Sequence, residues 1–590
     1  MALSSTPPSP LTGRPSLQWI DDITRNAKTE QQNALAQILA QNAETKYLKG
    51  FNLNGTIDKE TFRSKVPLVT YDDIQPLIRR VADGDTSPIL CADPISHFFV
   101  SSGTSGEPKL IPCTKQVLDR NLLLSSLTDV VMHRHVEGLD KGKSLYFMFT
   151  KADKQTQGGI TVRNVSSSIY KTDAFKNRPA NVHTSPNEAI YCDDSFQSVY
   201  TQLLCGLYER KQVNRVETVF ASSLVQVIKF LQLNWQQLTQ DIRAGSLNPK
   251  VTDPSIRECM ARLMRPDPEL ADYIGQECAK DNWEGIVTRL WPNTRYLGTI
   301  VTGTMAQYIP TLDYYSGKLP IASTLYASSE CFFGINLNPV CKPFEVSYTF
   351  MPNKVYFEFL PYIKNSSDDL THVSQLVELA DVEVGKEYEI VVTTTAGLYR
   401  YRVGDIVRAT GFYNSAPQFQ FVMRKNTILN IHSEMTKETE LQAAVDNASQ
   451  FLLDQSETSL VDYTSVVDTT TIPGHYVIYL ELQAKYNSAN SPSDDVLDQC
   501  CLLMEESFNW LYRRLRMSDS MIGPLEIRVV KNGTFEELLD YAISQGASMS
   551  QYKVPRSVKY KKPMFDLLES RVVSKHFSPS LPHFSSDDSL

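Results

Sequence analysis

The sequence predicts an α/β protein with a large N-terminal domain and a small C-terminal α+β domain. The first observation is length, because 590 residues exceed the size at which a single hydrophobic core stops growing. The second is that apolar runs typical of strands alternate with segments of helical periodicity over residues 17–428. The third is a polar stretch at 429–439, after which a separate set of helices and strands begins.

These observations divide the chain into five parts. We expect a disordered arm at residues 1–16, an N-terminal domain at 17–428, a hinge at 429–439, a C-terminal domain at 440–576 and a disordered tail at 577–590. The arm and the tail are rich in Ser and Pro, a composition that favours disorder. The arm has neither a charged n-region nor an apolar h-region, so we expect no secretory signal.

Composition bounds the class of protein and its partners. Hydrophobic residues at 42% and charged residues at 21% are typical of a soluble globular protein. A net charge of -9 argues against nucleic acid or an anionic membrane as a partner. The ten cysteines form no zinc-type spacing, and no apolar run approaches the roughly 18 residues of a membrane span. We therefore expect a cytoplasmic protein with reduced thiols and small-molecule partners.

Each predicted element rests on a local pattern. Apolar residues at intervals of three and four predict helices, and short apolar or alternating runs bounded by Gly or Pro predict strands. The predicted helices are 17–48 as a pair, 72–81, 114–133, 187–209, 219–243 and 494–511. The predicted strands are 98–100, 145–149, 295–303, 321–325, 355–360, 388–394, 419–426, 475–482 and 525–530.

A loop of small polar residues follows the first strand and predicts a phosphate site. Its residues are Ser101, Ser102, Gly103, Thr104, Ser105 and Gly106. Glycines let the backbone approach an anion closely, and the Ser and Thr hydroxyls add hydrogen-bond donors. The loop lacks the Gly-Lys-Ser/Thr ending of a P-loop NTPase, and Lys109 supplies the charge instead. An ordinary surface turn uses the same residue types, so this pattern needs companions.

Two later segments bring carboxylates to strand ends. Glu330 closes Tyr326-Ala-Ser-Ser-Glu330, where an aromatic ring can lie against a base and a carboxylate can meet phosphates through Mg²⁺. Asp405 follows Gly404 and can accept both hydroxyls of a ribose. The competing interpretations are a capped helix start at Ser329 and a surface hairpin with an Asx turn at Asp405.

Taken in order, these segments and the late Lys553 resemble the motifs of adenylate-forming enzymes. Their details are similar to the plant acyl-acid amido synthetases, the Gretchen Hagen family, and in particular to its jasmonate-amido synthetase-like branch. The resemblance implies a luciferase-like N-terminal domain of β-sheets or a barrel with helices, and a mobile C-terminal lid. It implies a monomeric ligase that uses ATP and Mg²⁺ to adenylate a hormone acid and then joins the acyl group to an amino acid such as isoleucine, with release of AMP and pyrophosphate.

The resemblance also implies site residues. Lys553 and Glu330 would be catalytic, with Glu330 at the Mg²⁺. ATP would be bound by Ser101, Ser102, Gly103, Thr104, Ser105, Gly106, Leu118, Asn121, Tyr326, Ala327, Ser328, Ser329, Glu330, Cys331, Phe332, Asp405 and Lys553. The acyl acid would contact Ser102, Leu122, Ser125, Thr324 and Phe332. The amino acid would contact Ser166, Ser167, Ser168, Ile169, Tyr170, Lys531, Asn532, Gly533, Thr534 and Phe535.

The acyl substrate stays open between two hormones. Segments such as Thr24-Arg-Asn-Ala27 resemble jasmonate-type members, whereas Tyr326 to Gly334 resembles the auxin-conjugating branch. Thr128 stands where benzoate-type members carry an arginine, and Met435 stands where many members carry a hinge lysine. We therefore expect a jasmonate-amido synthetase, with an indole-3-acetic acid (auxin)-amido synthetase as the alternative. Two other classes of protein are considered. An acyl-CoA ligase would use CoA as the acceptor in place of an amino acid, and a non-catalytic hormone-binding protein would bind the acid without turnover.

Overall fold

The computed structural model describes residues 16–100, 109–362, 376–425, 428–429, 431, 436–468, 470–471, 473–484, 492–517, 522–550, 552–558 and 562–583. These residues form two compact units. The first contains the chain up to Val422 and the short segment that begins at Ser548, and the second contains Met423–Ala547 and the chain from Tyr552 onward. The predicted α/β class, with a larger N-terminal and a smaller C-terminal part, is confirmed.

The first unit contains fifteen of the described α-helices. Capping side chains explain several starts, because an oxygen at the N-cap accepts one of the otherwise unpaired N–H groups of the first turn. Ser16, in the predicted arm, accepts from Trp19 N in this way. The helices are α1 Leu17–Arg25, α2 Ala27–Asn42, α3 Lys46–Lys49, α4 Lys59–Lys65, α5 Tyr71–Ala82, α6 Lys115–His135, α7 Val165–Tyr170, α8 Asp173–Lys176, α9 Asn187–Ile190, α10 Ser195–Tyr208, α11 Ala221–Ala244, α12 Pro254–Leu263, α13 Pro268–Cys278, α14 Ile286–Leu290 and α15 Ile309–Ser316.

The strands of the first unit form three sheets. The strands are β1 Ile95–Val100, β2 Leu110–Thr114, β3 Lys143–Tyr146, β4 Lys154–Gln155, β5 Thr161–Arg163, β6 Val213–Phe220, β7 Leu297–Ile300, β8 Ile321–Ala322, β9 Leu325–Ala327, β10 Phe332–Ile335, β11 Tyr348–Phe350, β12 Tyr356–Pro361, β13 Val377–Glu378, β14 Glu387–Thr393, β15 Tyr401–Tyr413 and β16 Ala416–Arg424. The sheet orders are β2-β1-β5-β4, the parallel β3-β6-β7-β8, and the eight-stranded β13-β12-β14-β15-β16-β11-β10-β9.

The second unit is a four-stranded sheet covered by helices. Its elements are α16 Glu438–Ser456, β17 Thr458–Asp468, β18 His475–Ala484, α17 Asp494–Ser507, α18 Trp510–Met517, β19 Glu526–Val530, α19 Thr534–Ser544, α20 Pro563–Ser570 and β20 Val572–Phe577. The strand order is β17-β18-β19-β20. Apolar side chains of α16 and α17 pack on one face of this sheet, among them Leu441, Val445 and Met504. The smaller unit therefore has its own core.

Several predicted elements differ from the observed ones at polar interruptions. The predicted helix at 187–209 is two helices, α9 and α10, and Asp194 caps the second by accepting from Gln197 N at 3.0 Å. The predicted helix at 494–511 ends at Ser507. The predicted strand at 321–325 is divided between β8 and β9. In the described chain, none of the helices combines the length and apolar character that a membrane crossing requires.

Both local alternatives at the carboxylate segments are wrong. Ser329 does not start a helix, because it lies in the turn that joins β9 to β10. Asp405 is not in a hairpin turn, because it lies inside the long strand β15. Gly404, immediately before it, has a φ of 83° in the left-handed region, where glycine is favoured. The structure therefore places both carboxylates on the eight-stranded sheet.

Candidate active site

The turn between β9 and β10 carries Glu330 on a fixed backbone. The Ser328 hydroxyl accepts from the backbone N–H groups of Glu330 at 3.2 Å and Cys331 at 3.4 Å. The Ser328 N–H in turn donates to the Cys331 carbonyl at 2.8 Å. A short polar side chain that accepts from the backbone two and three residues further on stabilises this kind of turn. Both the hydroxyl and the backbone N–H of Ser328 therefore stabilise the turn.

Two tyrosine hydroxyls tie Glu330 and Asp405 to opposite strands. Tyr326 of β9 donates to Asp405 Oδ2 at 2.8 Å, and Tyr401 of β15 donates to Glu330 Oε1 at 3.4 Å. Glu330 is 8% exposed and Asp405 is 4% exposed. The structure therefore brings the two predicted carboxylates into one buried, hydrogen-bonded arrangement, although they are far apart in the chain.

The ring of Tyr326 is already packed within the protein. Its centroid lies 4.7 Å from that of Phe333 and 5.4 Å from that of Tyr348. Tyr326 is 8% exposed. Offset aromatic pairs at these distances add stability beyond the area that they bury. The contact of Tyr326 with a nucleobase remains a prediction, and the observed function of its hydroxyl is to hold Asp405.

A buried arginine, which the sequence analysis did not single out, joins α6 to this sheet. The Arg120 guanidinium donates to the Phe332 carbonyl, and its Nε donates to the Asn353 carbonyl at 3.4 Å. Burial lowers the pKa of Arg120 from its usual value. Its Nη2 makes no hydrogen bond with the described residues. Leu118, Asn121, Leu122 and Ser125 lie on the helix that this arginine anchors.

One apolar cluster lies beneath several predicted site segments. It brings together side chains of α6, α7, β9 and β10, and its members include Leu123, Leu124, Leu127, Ile169, Leu325, Ala327, Phe332 and Ile335. Ala327 and Phe332 from the predicted nucleotide and acyl sets, and Ile169 from the predicted amino-acid set, therefore pack around a common core. This grouping depends on long-range packing and could not be derived from any single motif.

His97 connects the strand before the glycine loop to α7. Its Nε2 lies 2.9 Å from the Ser168 hydroxyl, and its Nδ1 lies 2.9 Å from the Ser96 hydroxyl. Burial, together with the positive charge of Arg163, lowers the pKa of His97 to about 4, so the ring is neutral at pH 7. The neighbouring hydroxyls of Ser166 and Ser167 are buried without a hydrogen-bond partner in the described chain.

The predicted amino-acid segment of the second unit is a capped helix start. The Glu481 carboxylate accepts from Gly533 N at 2.8 Å and from Phe535 N at 2.9 Å. An acidic group at the N-terminus of α19 also interacts favourably with the helix dipole. Lys531 and Asn532 are exposed on the turn before it, and Thr534 and Phe535 are buried.

Lys553 is half-buried on a segment that is attached to β17. The attachment comes from Arg556, which is three residues further on. Its Nη1 donates to Asp462 Oδ1 at 2.5 Å and to the Tyr463 carbonyl at 2.6 Å. Its guanidinium carbon also lies 4.2 Å from the Tyr463 ring centroid. The chain direction at Lys553 is therefore fixed relative to the sheet of the second unit.

The predicted site residues fall into three groups. Residues of the first unit are Leu118, Asn121, Leu122, Ser125, Ser166, Ser167, Ser168, Ile169, Tyr170, Thr324, Tyr326, Ala327, Ser328, Ser329, Glu330, Cys331, Phe332 and Asp405. Residues of the second unit are Lys531, Asn532, Gly533, Thr534, Phe535 and Lys553. The loop Ser101, Ser102, Gly103, Thr104, Ser105 and Gly106, and Met435 in the hinge, lie outside the described residues.

Another cluster of metal-ligating side chains lies in the second unit. Asp468, His475 and Glu526 have ligating atoms within 4.8 Å of one another. Arg528, however, donates to Glu526 Oε2 at 2.6 Å and to Asp468 Oδ2 at 3.4 Å. Because the guanidinium already neutralises these oxygens, we interpret the cluster as an ion-pair network rather than a metal site.

Family models match most of the chain. The model "GH3 family N-terminal domain" matches residues 16–321, "GH3 family central domain" matches 348–424 and "GH3 family C-terminal domain" matches 439–562. A solved structure titled "GH3.15 acyl acid amido synthetase" superposes with a TM-score of 0.89 at 45% identity, covering 98% of this chain and 100% of that one. The fold is thus that of an enzyme that forms a C–N bond between an acid and an amine.

Relatives of known name are similar in sequence to this chain over nearly its full length. The chain is 58% identical to "Probable indole-3-acetic acid-amido synthetase GH3.1" of Arabidopsis thaliana, with 99% of each chain covered. It is 57% identical to "Indole-3-acetic acid-amido synthetase GH3.3" of the same plant, again with 99% of each chain covered. A rice relative (Oryza sativa subsp. indica), "Indole-3-acetic acid-amido synthetase GH3.8", is 57% identical over 96% of this chain and 94% of its own. The chain belongs to the GH3 family of amido synthetases.

Proposed function

We propose that this protein conjugates indole-3-acetic acid to an amino acid at the expense of ATP. The observation that carries this proposal is that relatives 53% to 58% identical over 96% to 99% of the chain are named indole-3-acetic acid-amido synthetases. These names favour the auxin alternative over the jasmonate expectation.

The proposed reaction has two balanced steps. A carboxylate oxygen of the acid attacks the α-phosphorus of ATP, which forms an acyl-adenylate and releases pyrophosphate. The amine nitrogen of an amino acid then attacks the acyl carbon. The C–N bond of the amide forms, the bond from the acyl carbon to AMP breaks, and the nitrogen loses a proton. Both steps depend mainly on positioning and on neutralisation of phosphate charge.

The first unit would supply the positioning groups. Asp405, held by Tyr326, is a buried carboxylate with a fixed orientation, which suits a bidentate contact with ribose hydroxyls. Glu330 is a buried carboxylate whose oxygens suit Mg²⁺, so it would hold the ion, and the ion's positive charge would offset the negative charge of the phosphates. The loop from Ser101 to Gly106 would bind those phosphates.

The second unit would supply a mobile cation. Lys553 would neutralise the phosphoryl group during adenylation and then move away, so that the amine can approach. A lysine suits this role because it is a compact point charge on a flexible side chain. The hinge that would permit the movement stays a prediction, as do the monomeric state and the cytoplasmic location.

A substrate panel tests the proposal. Purified protein with ATP and Mg²⁺ should release pyrophosphate with indole-3-acetic acid and an amino acid, and mass spectrometry should detect the conjugate. Parallel reactions with jasmonic acid test the other hormone. Reactions with CoA in place of the amino acid test the acyl-CoA ligase, and a protein that binds the acid without releasing pyrophosphate would be a binding protein.

A further inference from the structure

The chain that follows Lys553 is bonded to β17, which is a terminal strand in the sheet of the second unit. Val558 N donates to the Ser465 carbonyl at 2.8 Å, and the Ser465 hydroxyl donates to the Arg556 carbonyl. The edge of a sheet offers backbone groups with which another piece of chain can pair. The backbone from Arg556 to Val558 is therefore held in place along this strand.

The side chain of Arg556 makes a second attachment to the same strand. Besides its hydrogen bonds to Asp462 and to the Tyr463 carbonyl, its guanidinium lies against the Tyr463 ring. Tyr463 N also donates to Asp462 Oδ1, at 2.8 Å, which fixes the orientation of the carboxylate that Arg556 contacts. A planar guanidinium that donates and stacks at the same time is restricted to one orientation, and a lysine cannot reproduce both contacts. Arg556 therefore fixes the direction as well as the position of the chain.

Both charges of this ion pair are buried. Arg556 is 5% exposed and Asp462 is 6% exposed. The desolvation cost of two buried charges can equal or exceed their attraction, so a buried ion pair is weak evidence for stability. Its directional hydrogen bonds nevertheless select one geometry of the chain. We therefore interpret the pair of Arg556 and Asp462 as a device that orients the segment.

A short and stiff link joins Arg556 to Lys553. Three residues span at most about 11 Å of chain. Of the two residues between them, Pro555 has a fixed φ and restricts the backbone of Val554, which precedes it. Val554 also packs against an apolar cluster on the sheet of the second unit, which includes Val466. A displacement at Arg556 would therefore be transmitted to Lys553 rather than absorbed by the link.

We propose that Arg556 is a positioning residue for adenylation, because its contacts with Asp462 and Tyr463 set the place of the Lys553 ammonium through the Val554-Pro555 link. This inference rests on the proposed function. It implies that Lys553 moves together with the sheet of the second unit and not on a loose loop. The geometry that Arg556 maintains is then needed only for the step in which Lys553 neutralises the phosphoryl group.

The test measures the two partial reactions separately. Acyl-dependent ATP/pyrophosphate exchange reports adenylation, and the reaction of chemically prepared indole-3-acetyl adenylate with an amino acid reports transfer. The double variant Arg556→Met/Asp462→Asn removes the ion pair without leaving an unpaired buried charge. Its exchange rate should fall about 10- to 100-fold, which is the effect of a small misplacement of a reacting group, while transfer stays normal. Arg556→Lys keeps the charge but not the planar contact, so its exchange rate should be intermediate.

A cycle with Lys553→Ala separates positioning from general destabilisation. If Arg556 acts through Lys553, Arg556→Met/Asp462→Asn should lower exchange by less than about twofold when residue 553 is already Ala, because residues that act as a unit are not additive. Arg528→Lys is the matched control, since Arg528 is a buried arginine of the same sheet whose guanidinium donates to Glu526. Any loss in this control should be equal for exchange and transfer.

Three outcomes would overturn the inference. They are normal exchange in Arg556→Met/Asp462→Asn, an equal loss of exchange and transfer in that variant, and an undiminished further loss when it is combined with Lys553→Ala. Thermal melting checks that the variants fold, and Arg556→Lys remains decisive if the double variant does not. If Lys553→Ala leaves no measurable exchange, the difference between exchange and transfer decides. Failure of the proposed function is distinct, because the unaltered protein would then exchange no pyrophosphate with any acid.

Discussion

At the scale of single residues, hydrogen bonds fix the two carboxylates of the candidate site. The sequence motifs singled out Glu330 and Asp405, because each is a carboxylate that follows Ser or Gly near a predicted strand. They did not show that Tyr326 holds Asp405 or that Tyr401 holds Glu330, since each contact joins distant strands of one sheet. Arg120 was missed for the same reason, because its acceptors lie on β10 and near Asn353, more than 200 residues away.

Asp405 offers a direct test of nucleotide binding. Asp405→Ala should weaken ATP affinity by about 1.5 to 3 kcal/mol, or roughly 10- to 150-fold, because two ribose hydroxyls would lose a charged acceptor. Tyr326→Phe should weaken it less, since the carboxylate remains but is no longer oriented. Calorimetric titration with ATP measures both, and Asp140→Asn, an exposed carboxylate of the same unit, should bind normally. Normal affinity in Asp405→Ala would contradict the ribose role.

His97 predicts a pH dependence of stability. Its pKa in the folded protein is about 4 against an ordinary value of 6.5, because it is buried and faces Arg163, with Asp153 acting in the opposite direction. The folded state therefore binds fewer protons, and the stability present above pH 6.5 is lost as the pH falls toward 4. This loss amounts to about 2 kcal/mol between pH 7 and pH 5.

The variant His97→Leu isolates that contribution. Its free energy of unfolding in urea should be below that of the unaltered protein at pH 7, and the difference should shrink by about 2 kcal/mol at pH 5, since the variant has no buried imidazole to protonate. His133→Leu removes an exposed histidine and should show no such pH-dependent difference. The same deficit at both pH values would mean that His97 does not titrate as the structure implies.

At the scale of elements, patterns located most helices and strands but misplaced their ends. The long helix after the glycine loop was predicted at 114–133 and is observed as Lys115–His135, because its periodicity is unbroken. Residues 187–209 were predicted as a single helix although they form two, since the Asp194 cap lies inside an otherwise periodic run. The polar stretch at 164–170 gave no helical pattern, yet it forms α7, whose Ile169 packs into the cluster beneath the site.

The capped start of α19 supports a prediction about the amino-acid site. Glu481→Ala should destabilise the second unit by about 1 to 2 kcal/mol, because it leaves two N–H groups without their acceptor. If Lys531 to Phe535 bind the amino acid, its KM should rise several-fold while acyl-dependent ATP/pyrophosphate exchange stays unchanged. Steady-state kinetics and urea unfolding measure the two effects, and Glu506→Ala, an exposed acid of the same unit, is the control. An unaltered KM would remove the turn from the amino-acid site.

At the scale of the whole molecule, the proposed chemistry draws on both compact units. The division into a large and a small part was predictable from length and from the polar stretch after residue 429. The assembly of three sheets in the first unit was not, because strand pairing across the chain depends on contacts that no local pattern encodes. The order of the motifs along the chain indicated the family and its fold, which the periodicity of single segments could not indicate, because motif order compares whole chains.

Lys553 tests whether the second unit takes part in only one of the two proposed steps. Lys553→Ala should reduce acyl-dependent ATP/pyrophosphate exchange by about 100-fold or more, since a single cation placed opposite developing charge contributes about 3 kcal/mol or more. Transfer from a preformed acyl-adenylate to the amino acid should remain close to normal, because the lysine would already have moved away at that stage. Lys562→Ala, an exposed lysine of the same unit, should affect neither step. Loss of both steps in Lys553→Ala, in a protein that still melts normally, would mean that the lysine does not act selectively in adenylation.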